Sequence, residues 1–174
     1  MNQHKKTQTI VLTALLTAFT TVATMLIRIP TPTKGYLNLG DTFVNISAWL
    51  LGAGWGTAAA GIGSALADLF AGYTIYVPIT LIVKSLMALA SYYVYKGLSA
   101  KINTFPARIT AAVAAEIIMV VGYAVFEGFM YQSLATALSG VPSNLVQGIF
   151  GVAASVTVYE LILKRIPQLH TSEK

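Results

Sequence analysis

Residues 76–96 read YVPITLIVKSLMALASYYVYK, a run in which Lys84 is the only charged residue before the terminal Lys96. A helix needs about 20 predominantly apolar residues to cross a bilayer, and this run has that length. The rest of the chain has a similar composition, since 56% of its 174 residues are hydrophobic and 10% are charged. Soluble domains carry about a quarter charged residues. The sequence therefore predicts an all-α membrane protein and disfavours a soluble enzyme, a disordered chain or a nucleic-acid binder.

Prolines and glycines divide the chain into a predicted bundle of six transmembrane helices, which forms a single domain over residues 1–174. The predicted helices cover about residues 8–29, 42–51, 57–71, 76–96, 109–131 and 143–165. A long first outer loop spans residues 30–39, and Asp41 is well placed to cap the second helix. Gly52, Gly54 and Gly56 predict a tight turn between the second and third helices, and Pro142 closes the last loop.

The basic residues indicate the orientation of this bundle. Six crossings place both termini on one side, together with the loop between the fourth and fifth helices. That side holds eight basic residues, Lys5, Lys6, Lys96, Lys101, Arg108, Lys164, Arg165 and Lys174. The opposite side holds only Arg28 and Lys34. Because basic residues accumulate on the cytoplasmic side of membrane proteins, the sequence predicts an N-in, C-in topology.

Ionisable side chains inside membrane helices are costly and usually functional. The predicted helices contain five, Asp68, Lys84, Glu116, Glu127 and Glu160. Glu160 lies one turn before Lys164, so an i,i+4 pair explains it. The helical rise of about 1.5 Å per residue places Asp68, Lys84 and Glu127 together in the outer half of the membrane.

Helical spacing brings further polar side chains to the same depth. The fourth helix carries the stripe Tyr76, Thr80 and Lys84, and the fifth carries Tyr123 and Glu127 on one face. The sixth helix opens with Asn144 and Gln147 on one side. A cluster that mixes both charge signs, amides and phenols indicates a pocket for a small polar aromatic solute. The alternative is that these groups only join helices to one another.

Enzyme motifs are absent from the sequence. It has no P-loop, no HExxH and no GxSxG, and it contains no cysteine that could act as a nucleophile or metal ligand. We therefore predict no catalytic residue, metal site or cofactor. A stand-alone channel or secondary carrier and an intramembrane enzyme of lipid metabolism are the competing hypotheses.

Three motifs carry a more specific signal: Pro32-Thr-Lys-Gly-Tyr-Leu-Asn-Leu-Gly-Asp41, Gly63-Ser-Ala-Leu-Ala-Asp-Leu-Phe-Ala-Gly-Tyr73, and Tyr76-Val-Pro-Ile-Thr80 followed by Lys84. Over nearly its whole length, the chain resembles the substrate-binding S components of energy-coupling factor (ECF) vitamin transporters. It is most similar to the branch assigned to hydroxymethylpyrimidine or pyridoxine-type vitamers, while related branches take riboflavin or pantothenate. The resemblance implies a solute-capture subunit of an ATP-driven importer in the bacterial cell membrane.

The resemblance also implies partners and roles. S components dock on a transmembrane coupling subunit, and two ATPase subunits complete the transporter. In this chain, Ala14-Leu-Leu-Thr-Ala18 on the first helix is the expected contact with the coupling subunit. The family further implies that the first outer loop covers the pocket, with Tyr36 and Asn38 as lid residues.

For a pyrimidine or pyridine solute, the tyrosines would cover the ring, Glu127 would accept from an amine or ring N–H, and the two amides would read hydroxyl and ring nitrogen. Lys84 and Asp68 contact the solute or form a structural ion pair, which we favour for Asp68. The predicted substrate-binding set is Tyr36, Asn38, Tyr76, Thr80, Lys84, Tyr123, Glu127, Asn144 and Gln147. The predicted structural polar residues are Asp41, Asp68 and Glu116.

Overall fold

The computed structural model describes residues 3–166, apart from the side chain of His4. In this part of the chain, five long helices dominate: α1 (Gln3–Leu26), α2 (Gly40–Phe70), α3 (Val77–Ser99), α4 (Thr104–Tyr131) and α5 (Leu134–Leu161). A 3-10 turn, Leu163–Arg165, follows α5. All five helices are long and apolar enough to cross a membrane, so the chain is a multi-pass membrane protein.

A short antiparallel pair of strands connects α1 to α2. The strands are β1 (Ile29–Pro30) and β2 (Tyr36–Leu37), and Ile29 lies opposite Leu37 in the register. We call residues 29–38 the hairpin. It occupies the stretch in which the sequence predicts the long first loop.

The predicted count of six helices is wrong, because the second and third predicted helices form the single element α2. Gly52 lies inside α2 with φ 77° and ψ −171°, a backbone conformation that is nearly restricted to glycine. The kink is sharp, since a Cβ on Gly56 would lie 2.4 Å from the carbonyl oxygen of Ser47. In a straight helix, two residues nine positions apart are separated by about 13 Å along the axis.

The kink places both ends of α2 beside the hairpin. Gly40, at the start of α2, donates its N–H to the side chain of Asn38, and Asp68, near the end, accepts from Tyr36. The N-in, C-in topology was predicted from six separate helices, whereas the structure has five.

The last helix also begins earlier than the sequence predicts. Ser133 caps α5 by accepting from the N–H of Thr136 at 3.2 Å, and the helix continues through Pro142. Proline removes one backbone donor inside a helix. Membrane helices tolerate this loss, because neighbouring groups satisfy the freed carbonyl.

Small residues and threonines join α1 to α2. A Cβ on Gly63 would lie 2.7 Å from the carbonyl oxygen of Thr17, so the two backbones approach closely. The hydroxyl of Thr21 donates to the carbonyl of Gly63 at 2.8 Å. Close backbone approach through small residues is the usual way in which membrane helices associate.

A buried arginine joins three helices at the end of the bundle away from the hairpin. Arg108 lies 3.8 Å from the ring centroid of Tyr159, donates to the hydroxyl of Tyr95 at 2.8 Å and forms an ion pair with Glu160. Glu160 also pairs with Lys164 at 2.9 Å, which confirms the predicted i,i+4 pair.

Candidate functional site

Tyrosine hydroxyls hold the hairpin against the helices. The carbonyl oxygen of Thr33 accepts from Tyr76 at 2.6 Å and from Tyr131 at 2.7 Å. The hydroxyl of Tyr36 donates to Asp68 Oδ1 at 2.6 Å, and the Tyr36 ring lies 4.5 Å from the ring of Tyr73. The hairpin is thus fixed to α2, α3 and α4 at one end of the bundle.

Beneath the hairpin lies a polar cavity of about 40 Å³. All nine residues of the predicted substrate-binding set line it, and so does Asp68. The nine come from the hairpin, the start of α3, α4 and α5, and Asp68 comes from α2. That these residues bind a solute stays a prediction, although the structure brings them together.

The cavity is also lined by four residues that were not predicted from the sequence, Thr24, Thr31, Gly35 and Ser64. Thr24 continues a series of threonines on the inner side of α1, and Thr20 and Thr21 in the same series are also buried. The recurrence of threonine at a spacing of three or four residues along α1 is the sequence signal that could have identified Thr24. Ser64 lies among alanines and glycines, where nothing in the sequence distinguishes it.

Lys84 pairs with Asp41 and not with Asp68. Its ammonium group donates to Asp41 Oδ1, and both residues are almost completely buried. The structural ion pair between Lys84 and Asp68 that the sequence suggested is therefore not formed. Asp41 also does not cap α2, because the N-cap position is Leu39 and Asp41 lies in the first turn.

A chain of hydrogen bonds leads from this ion pair to the hairpin. Gln147 Nε2 donates to Asp41 Oδ2 at 2.5 Å, while Gln147 Oε1 accepts from the backbone N–H of Asn38 at 2.9 Å. The side chain of Asn38 donates to the same oxygen at 3.3 Å. Gln147 is 4% exposed, so these bonds are shielded from water.

Three buried oxygen atoms of cavity-lining residues accept no well-formed hydrogen bond within residues 3–166: Asp68 Oδ2, Glu127 Oε2 and Ser64 Oγ. The hydroxyl groups of Thr80 and Thr33 lie near the two carboxylates but not in hydrogen-bonding geometry with these atoms. The other oxygen of each carboxylate is engaged, by Tyr36 in Asp68 and by Tyr76 at 3.3 Å in Glu127. Buried polar atoms normally find a partner, and a lone one requires an explanation. A bound solute that donates hydrogen bonds would supply the partner.

Aromatic rings form one wall of the cavity. The rings of Tyr76 and Tyr123 are 6.4 Å apart, and Phe126 packs edge-on against Tyr76 at 5.6 Å. The hydroxyl of Tyr123 bonds to that of Thr80 at 3.0 Å. The Lys84 ammonium group lies 5.6 Å from the centroid of Tyr123.

The two tyrosines at the hairpin are held in the protonated form. Burial raises the pKa of Tyr36, and the adjacent Asp68 carboxylate raises it further. Burial also raises the pKa of Tyr76, with a second contribution from Glu127. Each phenol therefore remains a hydrogen-bond donor at ordinary pH, Tyr36 to Asp68, and Tyr76 mainly to the carbonyl oxygen of Thr33, with Glu127 as a more distant acceptor.

Glu116 lies outside the cavity, within the helix interface. Its Oε1 accepts from Asn45 at 3.2 Å, and Asn45 in turn accepts from Ser91 at 2.8 Å. Gly148 and Gly151 on α5 leave room for this carboxyl group. Among the described residues, no group of three or more His, Cys, Asp or Glu side chains could hold a metal ion.

Comparisons with known proteins agree with this architecture. Residues 4–164 match the family model described as the S component of ECF-type riboflavin transporters. A Pyrococcus woesei protein, described as an uncharacterised protein in the gap 3′ region, is 33% identical over 147 residues, which cover 84% of this chain and 95% of that protein.

A solved structure titled as the S component of a bacterial ECF transporter superposes with a TM-score of 0.76 at 18% identity, covering 93% of this chain and 99% of that one. At this identity the superposition shows a shared fold, while the family model matches almost the whole sequence. The chain belongs to the ECF-type riboflavin transporter S component family, the substrate-binding subunits of vitamin importers that work with a coupling subunit and ATPases.

Proposed function

We propose that this chain captures a small, hydrogen-bond-donating nitrogen heterocycle of the hydroxymethylpyrimidine or pyridoxine type and delivers it to an ATP-driven importer in the cell membrane. The solute binds in the polar cavity beneath the hairpin. The observation that carries the proposal is the pair of carboxylate oxygens, Asp68 Oδ2 and Glu127 Oε2, that line this cavity without a partner in residues 3–166.

The two carboxylates set the chemistry of the solute. An ionised carboxylate only accepts hydrogen bonds, so a solute that donates at both positions matches this pair best. An exocyclic amine, a ring N–H and a hydroxymethyl group are donors of this kind. A phosphate ester is unfavourable, because Asp68 and Glu127 repel it and the Lys84 ammonium group is already paired with Asp41.

The dimensions of the cavity favour a solute with a single ring. A volume of about 40 Å³ holds a few water molecules, so even one ring requires the hairpin to move outward. The tilted rings of Tyr76 and Tyr123 then cover the faces of the heterocycle. A solute with three fused rings requires a larger displacement.

Riboflavin is the second candidate, because the matching family model is described by that vitamin. Its flavin ring offers mainly carbonyl and ring-nitrogen acceptors, and its ribityl chain offers hydroxyl donors. Binding would have to direct the ribityl chain toward Asp68 and Glu127, which leaves the acceptor-rich ring without donors from these two residues.

Mass spectrometry of the denatured, purified protein tests the proposal by identifying the molecule that copurifies. We expect a one-ring heterocycle that carries an amine or hydroxymethyl group. Recovery of riboflavin would refute the proposed solute and leave the family assignment intact. Titration with hydroxymethylpyrimidine and with its phosphate ester completes the test, and we expect the phosphate ester to bind at least tenfold more weakly.

The coupling subunit is proposed to dock on α1. Ala14 and Ala18 lie on an exposed face of this helix, beside the exposed side chains of Val11, Leu15 and Phe19. Small residues allow a second helix to approach closely. In liposomes we expect solute binding by the chain alone, and uptake only after coupling subunit, ATPases and ATP are added. Uptake by the chain alone would favour a secondary carrier or channel.

A further inference from the structure

We infer that Gln147 is a positioning residue, which holds the hairpin closed over the cavity by joining it to the buried ion pair of Asp41 and Lys84. The inference rests on the proposed function only in taking the hairpin as the cover through which solute enters.

The amide group of Gln147 has no polar atom left for a solute. A glutamine amide offers one accepting oxygen and two donating hydrogens. The oxygen accepts from the backbone and side-chain nitrogens of Asn38. The nitrogen donates to Asp41 at 2.5 Å and contacts the sulfur of Met119 at 3.1 Å. Contact with solute would require Gln147 to release one of these partners.

The bonds of Gln147 connect parts of the chain that are distant in sequence. Gln147 belongs to α5, Asp41 to α2, Lys84 to α3, and Asn38 to the hairpin. Because Asp41 is fixed from its other oxygen by Lys84, the amide of Gln147 has a rigid partner. One side chain therefore attaches the base of the hairpin to three helices.

Tyrosines make the other attachments of the hairpin: Tyr76 and Tyr131 act at its tip, and Tyr36, which donates to Asp68, acts beside its base. Tyr76 and Tyr131 both donate to the carbonyl oxygen of Thr33. The side chain of Asn38 is also held in place, because its Oδ1 accepts from the N–H of Gly40 at 2.9 Å. Loss of the Gln147 bonds should thus weaken the attachment of the base while Tyr36 and the tip remain attached, and the cover should open more often.

Thiol labelling measures this opening directly. The chain contains no cysteine, and Ser64 lines the cavity beneath the hairpin and is 1% exposed, so Ser64→Cys reacts with a maleimide only when the cover opens. Gln147→Met keeps the length of the side chain and removes its hydrogen bonds. We expect it to raise the labelling rate of the detergent-purified protein about tenfold, as the loss of one or two buried hydrogen bonds implies.

Control variants distinguish opening of the hairpin from a general loosening of the helix bundle. Ile149→Met places the same side chain on the exposed face of α5 and should leave the rate unchanged. A cysteine at Ala111, which is completely buried in α4, should label equally slowly with and without Gln147→Met. Tyr131→Phe removes a bond at the tip and shows that the reporter responds to opening.

Two results would overturn the inference: an unchanged rate at position 64 in Gln147→Met, or an equal rise at position 111. If Gln147→Met does not fold, Gln147→Asn replaces it, because its amide is one methylene group shorter and cannot keep both Asp41 and Asn38 within hydrogen-bond distance. The same rise in the labelling rate is expected, and its absence counts against the role of Gln147 in holding the hairpin closed. The assay uses protein from which copurified solute has been removed by dialysis, so an error in the proposed solute would not change its result.

Discussion

Glu127 is a buried carboxylate that lines the cavity and has an oxygen atom available to a solute. It is 3% exposed, accepts from Tyr76 through Oε1 and leaves Oε2 free of partners within residues 3–166. Glu127→Gln keeps the shape and still offers an oxygen to Tyr76, so we expect the fold to persist. Loss of a charge-assisted hydrogen bond, worth about 1.5–3 kcal/mol, should weaken solute binding roughly 10- to 150-fold. Equilibrium binding to the copurified solute and thermal melting measure the two effects.

Glu160→Gln is the matched control for this substitution. Glu160 lies at the opposite end of the bundle and pairs with Arg108 and Lys164. Its neutralisation should lower the melting temperature and leave the affinity unchanged. If Glu127→Gln binds the solute as tightly as the unmodified chain, Glu127 does not belong to the binding site.

The sequence predicts the members of this cavity better than their partners. Tyr76, Thr80 and Lys84 line it together, because a helix of known period fixes which residues share a face. The partner of Lys84 depends instead on how α2 is positioned against α3. Asp41 and Asp68 lie at opposite ends of α2, and only the kink brings both of these ends near the cavity. Spacing along the chain contains no information on which carboxylate is closer.

Among the elements, α2 is the one whose shape depends on a single residue. Gly52 has a positive φ of 77°, where any side chain is strained. Gly52→Ala should therefore destabilise the protein by about 1–3 kcal/mol. Gly54→Ala is the matched control, because Gly54 is exposed and a Cβ there meets no atom within 4 Å. Alanine is the better helix former, so Gly54→Ala should be neutral or stabilising.

Melting of the two detergent-purified variants decides the matter. If Gly52→Ala has the same melting temperature as Gly54→Ala, the kink does not require glycine.

The same element shows where sequence reading fails. Three glycines within five residues predict a turn, and the chain does reverse there, but the helix continues directly on both sides and Gly52 is the residue inside it that leaves the helical conformation. Pro142 misleads in the opposite direction, since it lies inside α5 and not before it. Local propensity marks positions at which a helix can break. Packing against neighbouring helices decides whether it does.

At the scale of the whole molecule, α1 is proposed to face the coupling subunit. Replacing both Ala14 and Ala18 with Trp adds bulk to an exposed face and should separate the two helices. We expect copurification with the coupling subunit to be lost and solute binding to the isolated chain to survive, because neither alanine lines the cavity. Ala153→Trp, at an exposed small residue of α5, is the control and should retain the partner. Unchanged copurification of the Ala14/Ala18 double variant would move the interface elsewhere.

The two ends of the bundle should lie on opposite sides of the membrane. Lys34 is in the hairpin, whose Thr33 is bonded to Tyr76 at the start of α3, whereas Lys101 follows the end of that helix. The 23 residues of α3 span about 35 Å, slightly more than the hydrocarbon core of a bilayer.

Because the proposed function requires the hairpin to face the outside, Lys34→Cys should react with an impermeant maleimide on intact cells. Lys101→Cys should react only after permeabilisation, and the cysteine-free chain gives the background. Equal labelling of both positions from outside would mean that α3 does not cross the membrane, and the cavity would then lose its place on the side from which solute arrives.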